Sequence, residues 1–339
     1  MALRSLEAIV PNHCADQLLQ KLGSDEFPQV IDQWSYSTSN DRTCIRAVLN
    51  AETTESLTDS ITALCGGQGF RVTLQSIEAI LPQPEEIQPP PGQQVETERA
   101  PLLGRISREE LLDDIEGTAR LTALFLVMST LSALVAVIGL TRDNVAIIIG
   151  AMVIAPLLGP NVGLSLATAL ADVQLAARSL RSLAAGFGLA LVVAVGAGLL
   201  LQASPDTPEI AARTVAGWGD IVLAVAAGIA AGLTYTTGIS NALVGVMVAV
   251  ALLPVWVTFG MLLGAGHFEP ALGALLLTGI NLICLNLTGV ATFAIQGVRP
   301  ARWWEAKKAK QMSLLAIAAW GGLLAILVVL SYFADFSST

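Results

Sequence analysis

The chain has 339 residues, of which 54% are hydrophobic and only 13% are charged, and its formal net charge is −9. A soluble domain carries roughly 25% charged residues, so this composition indicates a membrane protein in contact with the lipid bilayer. The acidic balance argues against nucleic acid as a partner, because nucleic acid calls for a basic surface. Residues 1–117 have the composition of a soluble protein, whereas residues 118–333 form long apolar runs with short polar breaks.

The first 82 residues predict a small α+β domain on the cytosolic side. Two stretches have the periodicity of amphipathic helices, and four have the alternation typical of strands. Their order, β-α-β-β-α-β, predicts a ferredoxin-like domain. Such domains bind small effectors in some proteins and only promote oligomerisation in others, and the sequence leaves both roles open. The predicted elements are strand 3–10, helix 15–22, strands 30–36 and 44–49, helix 53–65 and strand 70–81.

Two connecting segments follow this domain. Residues 83–104 include Pro89-Pro90-Pro91 and predict an extended, proline-rich linker. Residues 105–117 predict a juxtamembrane helix, because Ser107 and Glu110 have the spacing of a capping box. We expect this helix to run on into the first membrane span, so that the transmembrane domain occupies residues 118–334.

Seven membrane spans are predicted, since a run of about 20 apolar residues crosses a bilayer. Lys and Arg cluster before the first span, between the second and third, and between the sixth and seventh, and the positive-inside rule assigns these segments to the cytoplasm. The N-terminus is then cytoplasmic and the C-terminus outside, in a multi-pass protein of the cell's inner (plasma) membrane. The predicted spans are 118–140, 144–171, 182–203, 219–237, 240–265, 270–296 and 312–334.

The second and fifth of these spans share a motif. The run that starts at Gly150, GAMVIAPLL, aligns without a gap with GVMVAVALL, which starts at Gly245, at an offset of 95 residues. The same offset brings the first span onto the fourth and the third onto the sixth. Each half contains three spans, so the halves cross in opposite directions. This predicts a 3+3 inverted repeat, which is a common layout of secondary transporters.

Prolines interrupt the same two spans. Pro156, Gly159, Pro160 and Asn161 lie close together in the second span, and Pro254 follows Leu253 in the fifth. Each proline removes a helical hydrogen bond and clashes with the preceding turn. Hydrocarbon offers no partner for the freed groups, so such backbone lines a cavity or is buried in protein. The alternative is a plain proline kink packed against neighbouring helices, above all for Pro254.

Three further asparagines, Asn241, Asn281 and Asn286, complete the set of candidate substrate-binding residues. An amide in mid-span is costly unless it is hydrogen bonded, whereas serines and threonines nearby are more typical of helix–helix packing. No charged residue lies deep in a span, so a proton relay through carboxylates is not expected. The break can therefore hold a small anion at a half-helix N-terminus, or a cation such as sodium at exposed carbonyls.

The sequence predicts no cofactor, no metal site and no enzymatic activity. Cys14, Cys44, Cys65 and Cys284 form no CxxC motif and no cluster with histidine. The spans contain no GxSxG, HExxH or paired-carboxylate motif, so no catalytic residue is assigned.

Three segments resemble a bacterial and archaeal family of hydrophobic membrane proteins named domain of unknown function 389. They are residues 145–167, Ala211–Thr214 and the run 240–254, and the most specific of them is the signature GAMxIAPLxGP at 150–160. The second motif departs from the family pattern, because members often carry two adjacent prolines where this chain has Pro254-Val255. The family name implies no activity, so the resemblance supports the fold and leaves the substrate open.

The preferred interpretation is a transporter or channel for a small solute or ion, whose N-terminal domain regulates or assembles it. The alternative is a membrane-anchored sensor whose soluble domain binds an effector. Broken helices in both halves favour transport, because a sensor needs no unwound backbone at mid-membrane. Glycine-rich spans permit close helix packing, so a homo-oligomer is also expected.

Overall fold

The computed structural model describes residues 3–23, 30–38, 41–66, 69–77, 106–237 and 241–298, and single positions at 318, 320–322 and 325; the side chains of 241–251 are not among them. The predicted proline-rich linker lies outside these residues. The chain forms two compact units, Met1–Leu112 and Asp113–Thr339.

Up to residue 77, the described part of the first unit contains six elements in the order that the sequence predicts. The described strands form an antiparallel sheet of order β2-β3-β1-β4, in which β1 pairs with both β3 and β4. The end of the last predicted strand, after residue 77, lies outside the described residues. The elements are β1 Leu3–Pro11, α1 Asn12–Leu22, β2 Val30–Thr38, β3 Arg42–Asn50, α2 Ala51–Leu64 and β4 Arg71–Ile77.

One face of this sheet carries the core of the unit. Alternate residues of β1, among them Leu6 and Val10, are buried because side chains of a strand point to opposite faces in turn. Leu18 of α1 and Leu57 of α2 pack into the same cluster. The two helices therefore cover the apolar face of the sheet, and this periodicity made the elements predictable.

The helix α3 (Arg108–Ala119) begins at the predicted capping box. The Glu110 amide donates to Ser107 Oγ over 3.2 Å, which satisfies one of the free amides of the first turn. The Glu110 carboxylate does not complete the box, because it accepts two hydrogen bonds from Arg4, at 3.0 Å from Nε and 2.9 Å from Nη2. This paired contact ties the start of α3 to β1 within the first unit.

Arg108, the first residue of α3, is surrounded by carboxylates. It contacts Glu109, lies 3.2 Å from Asp59 Oδ1 and lies 3.8 Å from Glu55 Oε1. Burial acts to lower the pKa of Arg108, but the hydrogen bond to Glu109 and the three negative charges outweigh burial and raise it. The guanidinium therefore stays charged and helps to anchor the first turn of α3.

The expected continuous helix into the first span is wrong. α3 ends at Ala119 and α4 (Ala123–Thr141) begins after a short non-helical link. Thr122 is the N-cap of α4, and its side chain accepts a hydrogen bond from the Phe125 amide at 3.1 Å. A capping threonine offers the backbone an alternative to continued helix, so α4 starts as a helix separate from α3.

The second unit is helical throughout its described part. Four helices, α4, α7, α9 and α11, are long and apolar enough to cross a membrane, and α5 and α6 act as a fifth span if the bent pair is counted as one. The predicted span at 312–334 lies outside the described residues apart from single positions, so the count of seven stays a prediction. The remaining bounds are α5 Val145–Ile154, α6 Leu158–Leu170, α7 Val173–Leu201, α8 Pro208–Ala211, α9 Trp218–Thr237, α10 Asn241–Gly264 and α11 Phe268–Ile295.

Burial along α4 is the reverse of that in a soluble helix. Leu124 and Val127 are 70% and 54% exposed, whereas Ser132 and Ala136 are fully buried. Large apolar residues outside and small residues at helix contacts are typical of proteins in lipid, because lipid solvates leucine well and small residues let helices approach closely. This pattern supports the membrane-protein class independently of composition.

Helix bounds in the second unit follow the offset found in the sequence. Shifted by 95 residues, the bounds of α4 coincide with those of α9, and the bounds of α7 with those of α11, to within one residue. The start of α5 and the end of α6 coincide in the same way with the two ends of α10. The difference between the halves is that the first has a bent pair of helices where the second has one continuous helix.

Candidate functional site

The helix break in the first half lies between α5 and α6. Ala155, with φ −66° and ψ 120°, is extended, and the axes of the two helices differ by 56°. Pro156 follows at once and has no amide hydrogen to continue the helical ladder. Ser132 of α4 donates to the Ala151 carbonyl over 2.6 Å and so satisfies one of the acceptors that the end of α5 leaves free. The break is therefore a built feature of the second unit.

The break is shorter than the predicted interruption at 156–161. Leu158, Gly159, Pro160 and Asn161 already belong to α6, and all four are buried. Proline is tolerated in the first turn of a helix because amides there have no intrahelical acceptor. A Cβ atom on Gly159 would lie 2.6 Å from the Thr118 carbonyl oxygen, so only glycine permits this contact.

The predicted interruption at Leu253–Pro254 is wrong. α10 continues through Pro254, which lies inside the helix. Buried neighbours on both sides hold the chain in helical geometry there, although the proline removes one backbone hydrogen bond. Pro254 is thus the plain proline within a packed helix that the sequence left open as the alternative.

Asn161 and Asn286 present their amides in the same way. Asn161 Nδ2 donates to the Leu157 carbonyl over 3.0 Å, and Asn286 Nδ2 donates to the Leu282 carbonyl over 2.9 Å. Ser165 Oγ lies 3.2 Å from Asn286 Oδ1 and 3.2 Å from the Asn161 backbone oxygen. Asn161 Oδ1 is buried and has no hydrogen-bond partner among the residues that the structure describes.

Asn161 and Ser165 line a narrow crevice, which we call the polar crevice and which has room for about one water-sized group. Its walls are one face of α6 and the facing sides of α9 and α11, where glycines bring the backbones close together. No residue among those that line it is charged. The lining residues are Asn161, Val162, Ser165, Gly228, Ala231, Gly232, Leu285, Gly289 and Phe293.

A second narrow crevice, which we call the apolar crevice, lies at the break itself, between α4, α7 and α10. Beside it, Trp256 of α10 donates its indole N–H to the Phe187 carbonyl over 2.8 Å, and the Trp256 and Phe187 rings lie 5.1 Å apart. The lining residues are Ser129, Ser132, Ala155, Pro156, Leu157, Gly186, Phe187, Ala190 and Leu253.

The other predicted site residues are scattered. Asn281 and Asn286 are both buried on α11, and neither is among the residues that line the two crevices, although Asn286 contacts Ser165 of the polar crevice. Asn241 is the first residue of α10 and its side chain lies outside the described residues. Thr288 and Thr292 pack against Gly228 and Gly232 of α9, which is the helix-packing role expected for threonines in a span.

Sequence reasoning missed the serines of α4. Ser129 and Ser132 line the apolar crevice, and Ser132 caps the end of α5. A possible signal was their spacing, because Ser129, Ser132, Ala133 and Ala136 form one stripe of small residues in an otherwise large-residue helix. Ser165 was visible as a polar residue after the break, but its approach to Asn286 on another helix depends on tertiary packing.

No metal site is apparent in the ranges described, where no group of three His, Cys, Asp or Glu residues comes together. The four cysteines are free thiols. The site therefore consists of neutral amide, hydroxyl and backbone groups beside a bent helix pair.

Several long apolar helices, small residues at their contacts and a buried break define a protein of the multi-pass helical membrane class. Residues 152–287 match the protein family described as "Domain of unknown function (DUF389)". The "Uncharacterized protein MJ0678" of Methanocaldococcus jannaschii is 34% identical to this chain, over 98% of this chain and 100% of that protein. No solved structure matches the chain. The chain belongs to the DUF389 family.

Proposed function

We propose that this protein is a membrane transporter or channel for a small solute or ion, and that the polar crevice beside the α5–α6 break belongs to its permeation path. One observation carries the proposal: about one turn beyond the break in a span bent by 56°, the buried and uncharged Asn161 has an acceptor oxygen with no partner among the described residues. Unwound backbone at membrane depth is tolerated where it lines a cavity. In a span with a purely structural role, such a break would lower stability and serve no function.

We further propose that the membrane domain, residues 118–334, has seven spans that include a 3+3 inverted repeat. The shared offset of helix bounds supports this architecture. Equivalent contacts between the halves support it too, because α7 of the first half packs on α10 of the second, and α11 of the second half packs on α6 of the first. Three spans in each half reverse the direction of the second half. Inverted repeats with a discontinuous helix near the midplane are the layout in which transporters form their sites.

The first unit is proposed to be a ferredoxin-like domain of residues 1–82, followed by the linker 83–104 and the juxtamembrane helix 105–117. The sheet order β2-β3-β1-β4, with two helices on one face, supports this assignment. The positive-inside rule assigns the domain to the cytoplasm and the C-terminus to the outside of an inner (plasma) membrane. Its proposed role is regulation or assembly of a homo-oligomer; no enzymatic activity and no nucleic-acid partner are proposed.

The test is flux through liposomes that contain the purified full-length protein, screened with small cations, anions and neutral metabolites against protein-free liposomes. Pro156→Ala restores a backbone amide at the break. It also gives position 156 the residue found at the equivalent position of the second half, Ala251, where α10 is continuous. We expect this substitution to lower flux about tenfold or more, the equivalent of about 1.4 kcal/mol.

Pro254→Ala is the matched control, because this proline lies inside a helix that is already continuous. We expect its flux to stay within about twofold of the wild type, or under about 0.5 kcal/mol. If no small solute crosses the membrane while a small molecule binds only residues 1–82, the transport proposal fails and the sensor alternative holds.

A further inference from the structure

We propose that the polar crevice binds a monovalent cation, of the alkali or ammonium kind, through the neutral side-chain oxygens of Asn161 and Ser165, which line it, together with that of Asn286, which contacts Ser165. This inference rests on the proposed function in that it names the class of substrate or coupling ion. The argument starts from the direction in which each polar group points.

Both asparagine amides are oriented by their own helices. A backbone carbonyl accepts hydrogen bonds and cannot donate, so the atom of Asn161 that lies 3.0 Å from the Leu157 oxygen must be the NH₂ group. The same argument fixes Asn286, whose NH₂ lies 2.9 Å from the Leu282 oxygen. The oxygen of Asn286 accordingly lies on the α6 side, 3.2 Å from Ser165 Oγ, and the oxygen of Asn161 is left without a hydrogen bond in the described residues.

This leaves one side-chain acceptor of the polar crevice without a donor. The Ser165 hydroxyl lies 3.2 Å from the Asn161 backbone oxygen and 3.2 Å from Asn286 Oδ1. Because the Asn161 backbone oxygen already lies in the hydrogen-bond ladder of α6, the hydroxyl hydrogen is free for Asn286. Asn161 Oδ1 has no partner in the described part of the chain, and the residue is only 3% exposed. Buried acceptors without donors are costly, and a cation or an N–H donor removes that cost.

An anion would bind poorly in the polar crevice. A half-helix N-terminus attracts anions through its free amides, but the Thr118 carbonyl oxygen lies over that end of α6, 2.6 Å from where a Cβ atom on Gly159 would stand. The crevice itself opens further along α6, between Asn161 and Ser165. An anion there would meet oxygen atoms and no cationic side chain among the lining residues.

A divalent cation is also disfavoured. Solvation free energy lost on burial rises with the square of the charge, so a divalent ion loses about four times as much as a monovalent one. Proteins repay that loss with carboxylates, and no carboxylate lines the polar crevice. Neutral oxygens suffice for a monovalent ion, as they do where carbonyls replace its hydration shell.

The equivalent positions on α10 and α7 lack these polar groups. At the offset of 95 residues, Asn161 corresponds to Trp256, Ser165 to Gly260 and Asn286 to Leu191. The Trp256 indole is already engaged by the Phe187 carbonyl, and its ring packs on Phe187 and Phe259. The structure therefore assigns one cation site to the pair of crevices, on the α6 side.

Thermal unfolding of the full-length protein in detergent tests the proposal. The midpoint is measured in NaCl, KCl and NH₄Cl against N-methylglucamine chloride at constant ionic strength, and again with gluconate in place of chloride. A ligand that binds only the folded state raises the midpoint with its concentration. We expect a rise that follows the small cation and is indifferent to the anion. A midpoint that follows the anion, or is the same in all four chloride salts, overturns the proposal.

Substitutions locate the site. Ser165→Ala is expected to weaken the apparent cation affinity about tenfold, which a lost hydrogen-bonding oxygen accounts for. Ser179→Ala is the matched control, since Ser179 is likewise buried in the membrane unit and lines neither crevice. Equal affinities in these two variants overturn the assignment.

Asn286→Asp tests the site through a gained property, Ca²⁺ binding, so its result cannot be explained by a loss of stability. The added charge is expected to let Ca²⁺ raise the midpoint, which Ca²⁺ does not do for the wild type. No Ca²⁺ effect in a folded Asn286→Asp protein contradicts the site. Cation binding without flux supports this inference and refutes transport, whereas flux without cation dependence does the reverse.

Discussion

Ser165 of α6 lies against Gly289 of α11, with the serine Oγ 2.7 Å from the point where a Cβ atom would stand on the glycine. The two residues at an offset of 95, Gly260 of α10 and Ala194 of α7, make the corresponding contact, with the Ala194 Cβ 2.5 Å from the Cβ point of Gly260. In both pairs a glycine faces a small residue, and the two helices approach closely. The pairs therefore define two equivalent contacts, each of which joins a helix of the first half to a helix of the second.

If these contacts are equivalent, disrupting either one should lower the free energy of unfolding by a similar amount. Gly289→Ala and Gly260→Ala each force a methyl group into an occupied space, and we expect each to destabilise the fold by about 1–3 kcal/mol. Gly196→Ala is the control, because nothing lies within 4 Å of its Cβ point. Thermal unfolding in detergent measures all three.

We expect Gly196→Ala to be neutral or stabilising by up to about 1 kcal/mol, since alanine is the better helix former. A Gly260→Ala protein as stable as Gly196→Ala contradicts the close approach of α10 to α7. If only one of the two paired variants is destabilised, the equivalence of the halves is wrong.

The contact of Gly159 with Thr118 holds the end of α3 against α6. Alanine at 159 meets a backbone oxygen, which moves less readily than a side chain, so we expect the end of α3 to separate from α6. Hydrogen exchange of the amides of residues 115–119 is the measurement, with protection reduced about tenfold or more, which corresponds to about 1.4 kcal/mol. Gly150→Ala has open space at its Cβ point and is expected to leave that protection unchanged.

How far the sequence predicts this protein depends on the range of the contacts involved. The elements of the first unit follow from local periodicity, and Ser107 marked the start of α3 because a cap is a local signal. Asn161 was identified from a proline-rich run. The contact of its neighbour Ser165 with Asn286 was not predicted, because α6 and α11 meet only in the packed unit.

The errors have the same origin. Proline predicts a break from local chemistry alone, but packing around Pro254 keeps α10 continuous, whereas Pro156 has the Ser132 hydroxyl nearby to cap the preceding helix end. Whether a proline only kinks a helix or ends it depends on which side chains satisfy the freed carbonyls. Those side chains come from other helices and cannot be recognised from the span itself.

The Arg4–Glu110 pair is expected to matter more than the surface pair of Glu7 and Arg46. The Arg4 side chain is 10% exposed, whereas that of Arg46 is 43% exposed. Glu110→Gln leaves a largely buried guanidinium without its charge partner, and we expect a loss of about 1–3 kcal/mol in stability of the first unit. Glu7→Gln is the control, with an expected change under about 1 kcal/mol.

Hydrogen exchange of β1 amides in the full-length protein compares these two variants. Equal loss of protection in both would show that the Arg4–Glu110 pair has no special role. Loss only in Glu110→Gln supports the anchoring of α3 through this pair.

Cys65 is expected to resist alkylation at neutral pH. Burial and a hydrogen bond with Cys14 raise its pKa to about 12. Only the thiolate reacts, and a thiol whose pKa is raised keeps its proton until the pH approaches that value. The rate of iodoacetamide labelling at Cys65 should therefore still be rising at about pH 10, where an ordinary thiol, with a pKa of about 8.5, has levelled off. A plateau near pH 9 for Cys65, read by mass spectrometry, contradicts this environment.

The central claim, that a small ion passes beside the α5–α6 break, is tested most directly by Tl⁺ uptake into liposomes that contain the full-length protein. We predict uptake above that of protein-free liposomes, reduced about tenfold or more in Asn161→Leu, as expected when a buried ligand worth at least about 1.4 kcal/mol is removed. Thr258→Val, which removes a buried hydroxyl of α10 outside both crevices, is predicted to retain it. Uptake equal in the wild type and Asn161→Leu would contradict the claim.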